Sequence, residues 1–321
     1  MKLVTIDSGS KGAPGAILAS GEVLHLQRAA LPGTIEAWLP DNIRDMLDAG
    51  DEGLDIARRI VRRVEALSSP GDIAALRASG VLASASTRLL SPVTNPRLVV
   101  AAGLAYRSHL AEMAGTPTPP HPTAFMKSVN SITGTGADIP IPPHAARHMD
   151  YEGELAVVFG RECHSVDAGQ AMDCVAGYTV ANDVSARDWV EDVWQAASPW
   201  DARRTWEVNI MGKQFPGFTP LGPALLTADE VPNVNALQLT TRLNGNVMQS
   251  SPIGDLIFSI PDTIAYFSKW YVFKPGDVLL TGTPSGVGVG RKPPVYMKEG
   301  DIIEVEVTGI GTLRNTVGVQ R

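Results

Sequence analysis

Residues 149–160 read MDYEGELAVVFG, an acidic start that leads into an unbroken apolar run. A run of this length that ends at a glycine is typical of a buried β-strand. Because side chains two apart on a strand share a face, Glu152 and Glu154 are expected side by side at the rim of a core. Two neighbouring carboxylates repel each other unless a cation or a shared proton lies between them. The stretch therefore predicts either a cation site or a solvated strand edge.

A second apolar run, VAGYTVAND at 175–183, ends in a further acid, Asp183. An acid that follows a buried strand, just before a loop, is well placed to be a ligand. Three carboxylates without a Cys or His cluster form an all-oxygen site, which favours Mg²⁺, Mn²⁺ or Ca²⁺ over zinc. With three protein ligands, such a cation keeps positions open for water and substrate.

The remaining sequence predicts two unequal domains, with a boundary in the proline-bracketed segment SPVTNPR at 91–97. In residues 1–92, the apolar runs 3–6 and 16–18 predict a hairpin, and the spacing of apolar residues over 53–67 predicts an amphipathic helix. In residues 98–321, short β-type runs alternate with Gly, Pro, Asn and Asp. The predicted fold class is therefore α+β, mainly β with α: a large β-rich domain with a small N-terminal α/β domain.

The composition excludes several classes of protein. Lys and Arg number 27 and Asp and Glu number 34 in the 321 residues, and a net charge of -7 argues against nucleic-acid binding. The two cysteines form neither a disulfide framework nor a CxxC pair. No apolar run approaches the length of a membrane span or a signal peptide. A cytoplasmic protein without a membrane partner is expected.

Nine motifs follow one another between residues 98 and 319. They are GLAYRSHLAEM (103–113), FMKS (125–128), DYEGELAVVFG (150–160), AGYTVANDVSARD (176–188), GKQF (212–215), PLGPALLT (220–227), RLNGNVMQ (242–249), PGDVLLTGTPSGVG (275–288) and EGDIIEVEVTGIGTLRNTV (299–317). Together they resemble the fumarylacetoacetate hydrolase, or acylpyruvase, family. The resemblance implies a mixed β-sandwich or β-roll catalytic domain, a homodimer, and a divalent metal, Mg²⁺ or Mn²⁺ with Ca²⁺ as a further option, held by Glu152, Glu154 and Asp183.

The resemblance also implies small 2,4-diketo or 2-oxo acids as substrates. The main prediction is a metal-dependent hydrolase that cleaves a carbon–carbon bond in an acylpyruvate or a fumarylpyruvate-like acid through a metal-stabilised enolate. The alternatives are an oxaloacetate-like 2-oxo acid decarboxylase and a 2-hydroxydienoate isomerase or hydratase on the same metal site. A catalytically silent member that binds a 2-oxo acid is a third option.

Three residues are predicted to be catalytic. His109 and Glu112 are three apart in a helical segment, so their side chains face each other, and Glu112 is expected to orient His109 as the base that activates water. The resemblance implies that this pair lies on a mobile lid. It also implies that Lys213 contacts substrate or stabilises negative charge near the metal.

Four further residues are predicted to bind substrate. Arg187 is a candidate for a substrate carboxylate, although a structural ion pair with Asp188 or another acid is an equal alternative. Thr283 lies in a glycine-rich loop whose hydroxyl and N–H groups are suited to a carboxylate, although plain turn chemistry explains the glycines as well. Tyr106 and Lys127 are candidates for the pocket wall.

The sequence departs from the family pattern in three places. Ala105 and Val190 stand where many relatives have Asn and Gln, which puts identity with the fumarylacetoacetate-cleaving enzymes in doubt. The segment 189–206 is long and carries four of the six tryptophans. It predicts either a dimer contact or packed loop, or an aromatic wall for a bulky acyl group.

Overall fold

The apolar run after Glu152 forms a strand over Gly153–Phe159 that is buried along its whole length. The structure is a computed structural model, and it describes residues 1–9, 12–113, 116–143, 147–188 and 195–319. In chain order the strands are β1 Lys2–Ile6, β2 Ala13–Ile17, β3 Val23–His25, β4 Leu82–Ala83, β5 Leu89–Leu90, β6 Val99–Gly103, β7 Thr123–Met126, β8 Ile132–Thr133, β9 Asp138–Ile141, β10 Met149–Asp150, β11 Gly153–Phe159, β12 Val175–Asn182, β13 Ser185–Ala186, β14 Thr219–Thr227, β15 Gln238–Leu243, β16 Asn246–Pro252, β17 Val278–Leu280, β18 Ile302–Val307 and β19 Gly311–Val319. The helices are α1 Leu26–Ala29, α2 Ile43–Asp48, α3 Asp51–Glu65, α4 Pro70–Ala78, α5 Arg107–Glu112, α6 Ala168–Ala171, α7 Pro199–Met211 and α8 Ile260–Phe267.

In the described residues, two sheets contain 17 of the 19 strands, and β10 pairs with β13 in a separate two-stranded sheet. The larger has the strand order β4-β3-β2-β1-β14-β12-β11-β17-β6-β7, with β5 beside β1 and β8 beside β14, and the smaller has the order β16-β15-β18-β19-β9. Most pairs are antiparallel, but β17 with β6, β14 with β8 and β19 with β9 are parallel. The predicted class, mainly β with α and mixed sheets, is confirmed.

Strand β11 faces a different core on each side. Leu155 and Val157 pack in a cluster with Leu239 and Val305 of the smaller sheet, which makes a sandwich of the two sheets. Ala156 and Val158 pack in a second cluster that also takes residues from α2 and α3. Glu152 and Glu154 continue the row of Ala156 and Val158, because side chains alternate along a strand.

The N-terminal elements join the same sheet. The predicted hairpin is present as β1 and β2, and the predicted helix at 53–67 is present as α3. Strand β1 also pairs with β14, with Leu3 opposite Leu225. Residues 1–92 and 98–321 thus share one sheet and one core, and the boundary between them stays a prediction.

Candidate metal centre

Strand pairing brings the three predicted metal ligands together. In the register of β11 and β12, Gly153 lies opposite Asn182, so Asp183 follows directly beside Glu152. The Asp183 N–H donates to the Glu152 carbonyl oxygen over 2.8 Å. One carboxylate oxygen from each of Glu152, Glu154 and Asp183 lies within 4.8 Å of the other two, and all three residues are buried. The alternative of a solvated strand edge is therefore wrong.

The glycine between the two glutamates is explained by the facing sheet. A Cβ at position 153 would lie 2.1 Å from the Thr241 hydroxyl oxygen and 3.0 Å from Val305 Cγ1. No side chain fits there, because strand β15 approaches β11 too closely at this point. The Glu-Gly-Glu sequence thus follows from packing, since both acids point away from the sheet that excludes a side chain.

Lysine side chains compensate two of the three acids. Lys213 Nζ donates to Glu152 Oε2 over 2.6 Å, to Asp183 Oδ2 over 2.7 Å and to Ser185 Oγ over 2.7 Å. Lys127 Nζ donates to the second oxygen of Asp183 over 2.5 Å and to the carbonyl oxygens of Lys213 and Phe218. Both lysines therefore contact the ligand cluster itself rather than a more distant pocket wall.

Arg187 completes this inner layer of charge. Its Nε donates to Asp150 Oδ2 over 3.0 Å, and its Nη2 donates to Glu152 Oε1. The structural ion pair that the sequence left open is thus formed with Asp150 and Glu152, whereas Asp188 lies 3.6 Å from His148 Nδ1. A role toward a substrate carboxylate stays a prediction.

Glu154 is the acid that the described bases do not neutralise. Its Oε2 accepts the Gly282 N–H over 2.7 Å, and no ion pair to it is formed in the described residues. Burial, together with the charges of Asp183 and Glu152, raises its pKa well above the ordinary value. By contrast, burial opposes the ionisation of Glu152, but Lys213 and Arg187 outweigh it and lower its pKa.

Counting charges shows what the centre can accept. The buried cluster holds four acids and three bases: Asp150, Glu152, Glu154, Asp183, Lys127, Arg187 and Lys213. When all seven groups are ionised, four negative and three positive charges give a net charge of one negative. This surplus charge lies on Glu154, which has no basic partner in the described residues. A divalent cation fits this donor set, because the ligands are all carboxylate oxygens and because the surplus charge lies among them. The three acids would hold it.

The predicted catalytic pair lies beside this centre. His109 and Glu112 are on α5, both largely buried, with 3.2 Å between His109 Nδ1 and Glu112 Oε2. His109 is also close enough to Glu152 to lower the pKa of that carboxyl. The expected helix and the expected contact between the two side chains are therefore present beside the candidate metal ligands, and their roles as base and orienter stay predictions.

A glycine-rich loop, residues 282–290, connects the parts of the site. It donates backbone N–H groups to three acids: Gly282 to Glu154 over 2.7 Å, Gly286 to Glu112 over 3.0 Å, and Gly288 to Asp150 over 2.7 Å. These donors are engaged within the protein rather than free for a carboxylate of a substrate. The glycines are also required sterically, because a Cβ at Gly290 would lie 2.5 Å from Glu112 Cδ.

Two residues predicted to bind substrate are buried: Thr283 within the same loop, and Tyr106. The Thr283 hydroxyl donates to the Gly153 carbonyl over 2.9 Å and accepts from Gln249 Nε2 over 2.7 Å. Tyr106 lies at the start of α5, and burial, with Glu154 nearby, raises the pKa of its phenol. Contact of either hydroxyl with substrate stays a prediction.

Sequence reasoning missed Asp150 and Gln249. Gln249 accepts the Gly153 N–H over 3.0 Å and donates to the Pro284 carbonyl over 2.9 Å, so it ties the loop to β11. Both residues lie inside the quoted motifs: Asp150 is two residues before the first glutamate, and Gln249 is at the end of RLNGNVMQ. Their motif positions were the available signal, but their partners are distant in sequence.

The tryptophan-rich segment is described in part. Trp189, Val190 and Trp194 lie outside the described residues. Trp200 and Trp206 lie on α7 with exposed fractions of 67% and 52%. The two described tryptophans are thus on the surface of that helix.

The sequence matches a known protein family and named relatives. The family model described as fumarylacetoacetate (FAA) hydrolase, C-terminal, matches residues 98–318. Oxaloacetate tautomerase FAHD2B, mitochondrial, from Homo sapiens is 40% identical over 279 residues, which cover 87% of this chain and 80% of that protein. Oxaloacetate tautomerase YisK from Bacillus subtilis (strain 168) is 31% identical over 320 residues, which cover 99% of this chain and 100% of that protein.

The fold is similar to that of a solved structure over the full length of both chains. The fumarylacetoacetate hydrolase of the psychrophile Exiguobacterium antarcticum matches with a TM-score of 0.76 and 27% identity, over 100% of both chains.

In the described residues, no helix has the length and apolar character needed to cross a membrane. The human relative is described as mitochondrial, so a cytoplasmic location stays a prediction.

Proposed function

This chain belongs to the fumarylacetoacetate hydrolase family, and from that membership we propose that it interconverts the keto and enol forms of oxaloacetate or a closely related 2-oxo dicarboxylic acid, with a divalent metal. Two relatives, one human and one bacterial, are named as oxaloacetate tautomerases. The oxaloacetate-like alternative is therefore better supported than hydrolysis of a 2,4-diketo acid, the main prediction from the sequence.

The observation that carries the proposal is the oriented histidine beside the buried acids. Keto–enol exchange moves one proton between the carbon next to the carbonyl and the carbonyl oxygen, and it consumes no water. It needs a group that takes up a proton and returns it. His109, with Nδ1 turned to Glu112, presents Nε2 for this purpose.

The metal and the protein divide the chemistry. Glu152, Glu154 and Asp183 would hold a divalent cation, which would supply Lewis-acid polarisation of the carbonyl group of the 2-oxo acid. Glu112 stabilises the imidazolium that forms when His109 accepts the proton, because the two side chains lie 3.2 Å apart and are largely buried. Lys213 fixes Glu152 and Asp183 relative to each other by donating to both.

Hydrolysis remains a second candidate because the histidine pair suits it and because a matched structure is named as a hydrolase. The same His109–Glu112 pair can remove a proton from a water molecule that attacks a distal carbonyl, as expected from the sequence. The matched structure with a TM-score of 0.76 is named as a fumarylacetoacetate hydrolase.

A substrate panel with controlled metal separates the candidates. Oxaloacetate is supplied as its keto or enol form, and ultraviolet absorbance of the enol is followed with Mg²⁺ or Mn²⁺ and with a chelator. Parallel reactions follow CO₂ release from oxaloacetate and loss of diketone absorbance from acylpyruvates. We expect metal-dependent acceleration of enol–keto exchange that exceeds both other activities. Acylpyruvate cleavage that is faster than keto–enol exchange would favour hydrolysis over tautomerisation as the function. Full activity with chelator would contradict the proposed metal requirement.

The proposal includes a homodimer. The resemblance to the family implies one, and a group of exposed apolar side chains supports it: Trp206 and Met211 of α7 and Met126 of β7. Gln214 holds these elements together by donating to the carbonyl oxygens of Met126 and Ile210. Exposed apolar patches mark protein–protein interaction sites, and these three residues are the proposed members of such a patch.

A further inference from the structure

Asp150 is a buried acid that accepts hydrogen bonds from its own strand region, from the glycine-rich loop and from Arg187. It is 0% exposed, and its two oxygens accept four hydrogen bonds. Oδ1 accepts from Tyr151 N over 2.9 Å and Gly288 N over 2.7 Å, and Oδ2 accepts from Val289 N over 3.2 Å and Arg187 Nε over 3.0 Å. A carboxylate with four donors has a fixed position and orientation.

One arm of this network ends at a metal ligand. Arg187 spans the distance between Asp150 and Glu152, using Nε for the first and Nη2 for the second. Both acids and the guanidinium are buried, so the geometry is not loosened by solvent. Asp150 therefore acts through Arg187, together with Lys213 on the other oxygen, to orient the Glu152 carboxylate.

The second arm ends at the catalytic pair. The backbone N–H groups of Gly288 and Val289 attach the glycine loop to Asp150, and the Gly286 N–H of the same loop holds Glu112. The approach is too close for a side chain, because a Cβ at Gly288 would lie 2.6 Å from Asp150 Oδ1. Glu112 in turn holds His109.

We infer that Asp150 is a positioning residue that aligns the metal ligand Glu152, through Arg187, with the His109–Glu112 pair, through the glycine loop. The inference rests on the proposed function, because it requires a metal at Glu152 and proton transfer at His109. Outer partners of metal ligands typically change metal affinity or activity by about 10–100-fold when mutated. We expect Asp150 to change both.

The chain offers a matched control in Asp277. It is also a buried acid, 1% exposed, and it accepts three backbone N–H groups, from Arg97, Leu98 and Lys274, over 3.0, 2.9 and 2.8 Å. It holds a loop as Asp150 does, but none of its partners is a site residue. Asp277→Asn thus measures what a purely structural buried acid contributes.

The test compares Asp150→Asn with Asp277→Asn in the full-length protein. The asparagine keeps the shape of the side chain, but its amide nitrogen cannot accept from the two donors that one carboxylate oxygen served. Mn²⁺ affinity is measured without substrate by the paramagnetic resonance signal of free Mn²⁺, and kcat is measured with oxaloacetate at saturating Mn²⁺. Thermal unfolding is recorded for each variant.

For Asp150→Asn we expect Mn²⁺ affinity and kcat each to fall by about 10-fold or more. For Asp277→Asn we expect a lower Tm with both values unchanged. If Asp150→Asn alters only Tm, as the control does, the inference is overturned while the proposed function stands. If the unmodified protein binds no Mn²⁺, the proposed function itself fails.

A second variant keeps the test valid if Asp150→Asn does not fold. Arg187→Lys leaves the loop contacts of Asp150 in place, but an ammonium group cannot span both acids as the planar guanidinium does. We expect weaker Mn²⁺ binding by about 10-fold. Unchanged Mn²⁺ affinity in Arg187→Lys would overturn the arm that runs to Glu152.

Discussion

His109 Nδ1 lies 3.2 Å from Glu112 Oε2, and the other oxygen of that carboxylate accepts the Gly286 N–H. The contact assigns the Nδ1 proton to the side facing Glu112, so that Nε2 is left as the acceptor. The orientation of the imidazole is therefore set by a group that is itself fixed to the glycine loop.

Replacing His109 should separate catalysis from metal binding. In His109→Gln we expect kcat to fall by about 10²–10⁴-fold, because general acid–base catalysis is removed, while Mn²⁺ affinity stays the same. Steady-state kinetics and Mn²⁺ titration measure the two effects. His121→Gln is the control, since His121 stacks on Tyr266. Normal turnover in His109→Gln would assign the pair a structural role.

The two glutamates should respond differently to the loss of charge. In Glu152→Gln, Lys213 and Arg187 lose a buried anionic partner, and we expect a loss of about 3–5 kcal/mol in unfolding free energy. In Glu154→Gln we expect no loss for the metal-free protein, because the ionised form of Glu154 is already disfavoured. Both variants should lose Mn²⁺ binding. Denaturant unfolding without metal and Mn²⁺ titration give the two readouts, and equal destabilisation would contradict the charge count.

Glu154 also predicts a pH dependence of stability. Its pKa is raised from the model-compound value of 4.5, so the folded protein binds this proton more tightly than the unfolded chain does. Its contribution to stability is therefore complete below pH 4.5 and is lost as pH rises toward the folded pKa. As pH rises over this range, the Tm of the unmodified protein without metal should fall more than the Tm of Glu154→Gln without metal. Parallel curves for the two proteins would refute the expectation.

A mutant pair tests the close approach at Gly153. Gly153→Ala should lower both stability and Mn²⁺ affinity, because the new Cβ would lie 2.1 Å from the Thr241 hydroxyl oxygen. That hydroxyl makes no hydrogen bond in the described structure, so Thr241→Ala alone should have little effect. The double variant should recover part of both properties, measured as a coupling energy. Simple additivity would show that the space beside Gly153 is not limiting.

The proposed homodimer should depend on the exposed apolar residues of α7. Trp206→Glu places a charge in the apolar group, and we expect the mass from light scattering to shift toward the monomer at low protein concentration. Trp38→Glu is the control, because Trp38 is 79% exposed and belongs to the N-terminal part of the chain. Equal masses for the two variants would place the contact elsewhere.

The buried cluster of three acids was predictable because its members follow local rules. Glu152, Glu154 and Asp183 adjoin apolar runs that form adjacent strands, and alternation along a strand fixes their faces. His109 and Glu112 were predictable because three-residue spacing on a helix brings side chains together. In each case the partner is a few residues away or on the next strand.

The connections between these parts were not predictable. Asp150 depends on N–H groups of residues 288 and 289, and Arg187 could not be assigned before both of its acids were located. The Thr283 hydroxyl, predicted to face substrate, is engaged with Gly153 and Gln249. Such contacts depend on how loops from distant parts of the chain cover the sheet, and no local pattern records that.

The pairing of β1 with β14 has a consequence for shorter members of the same fold. Strand β1 lies against β14 at Leu225 and Leu226, and thereby caps hydrogen-bonding groups that would otherwise face solvent. An open sheet edge invites pairing with other chains. A protein that began near residue 98 would need a replacement strand, a covering loop or a second subunit along β14. The N-terminal part thus covers this edge of the sheet, and its removal is predicted to lower solubility.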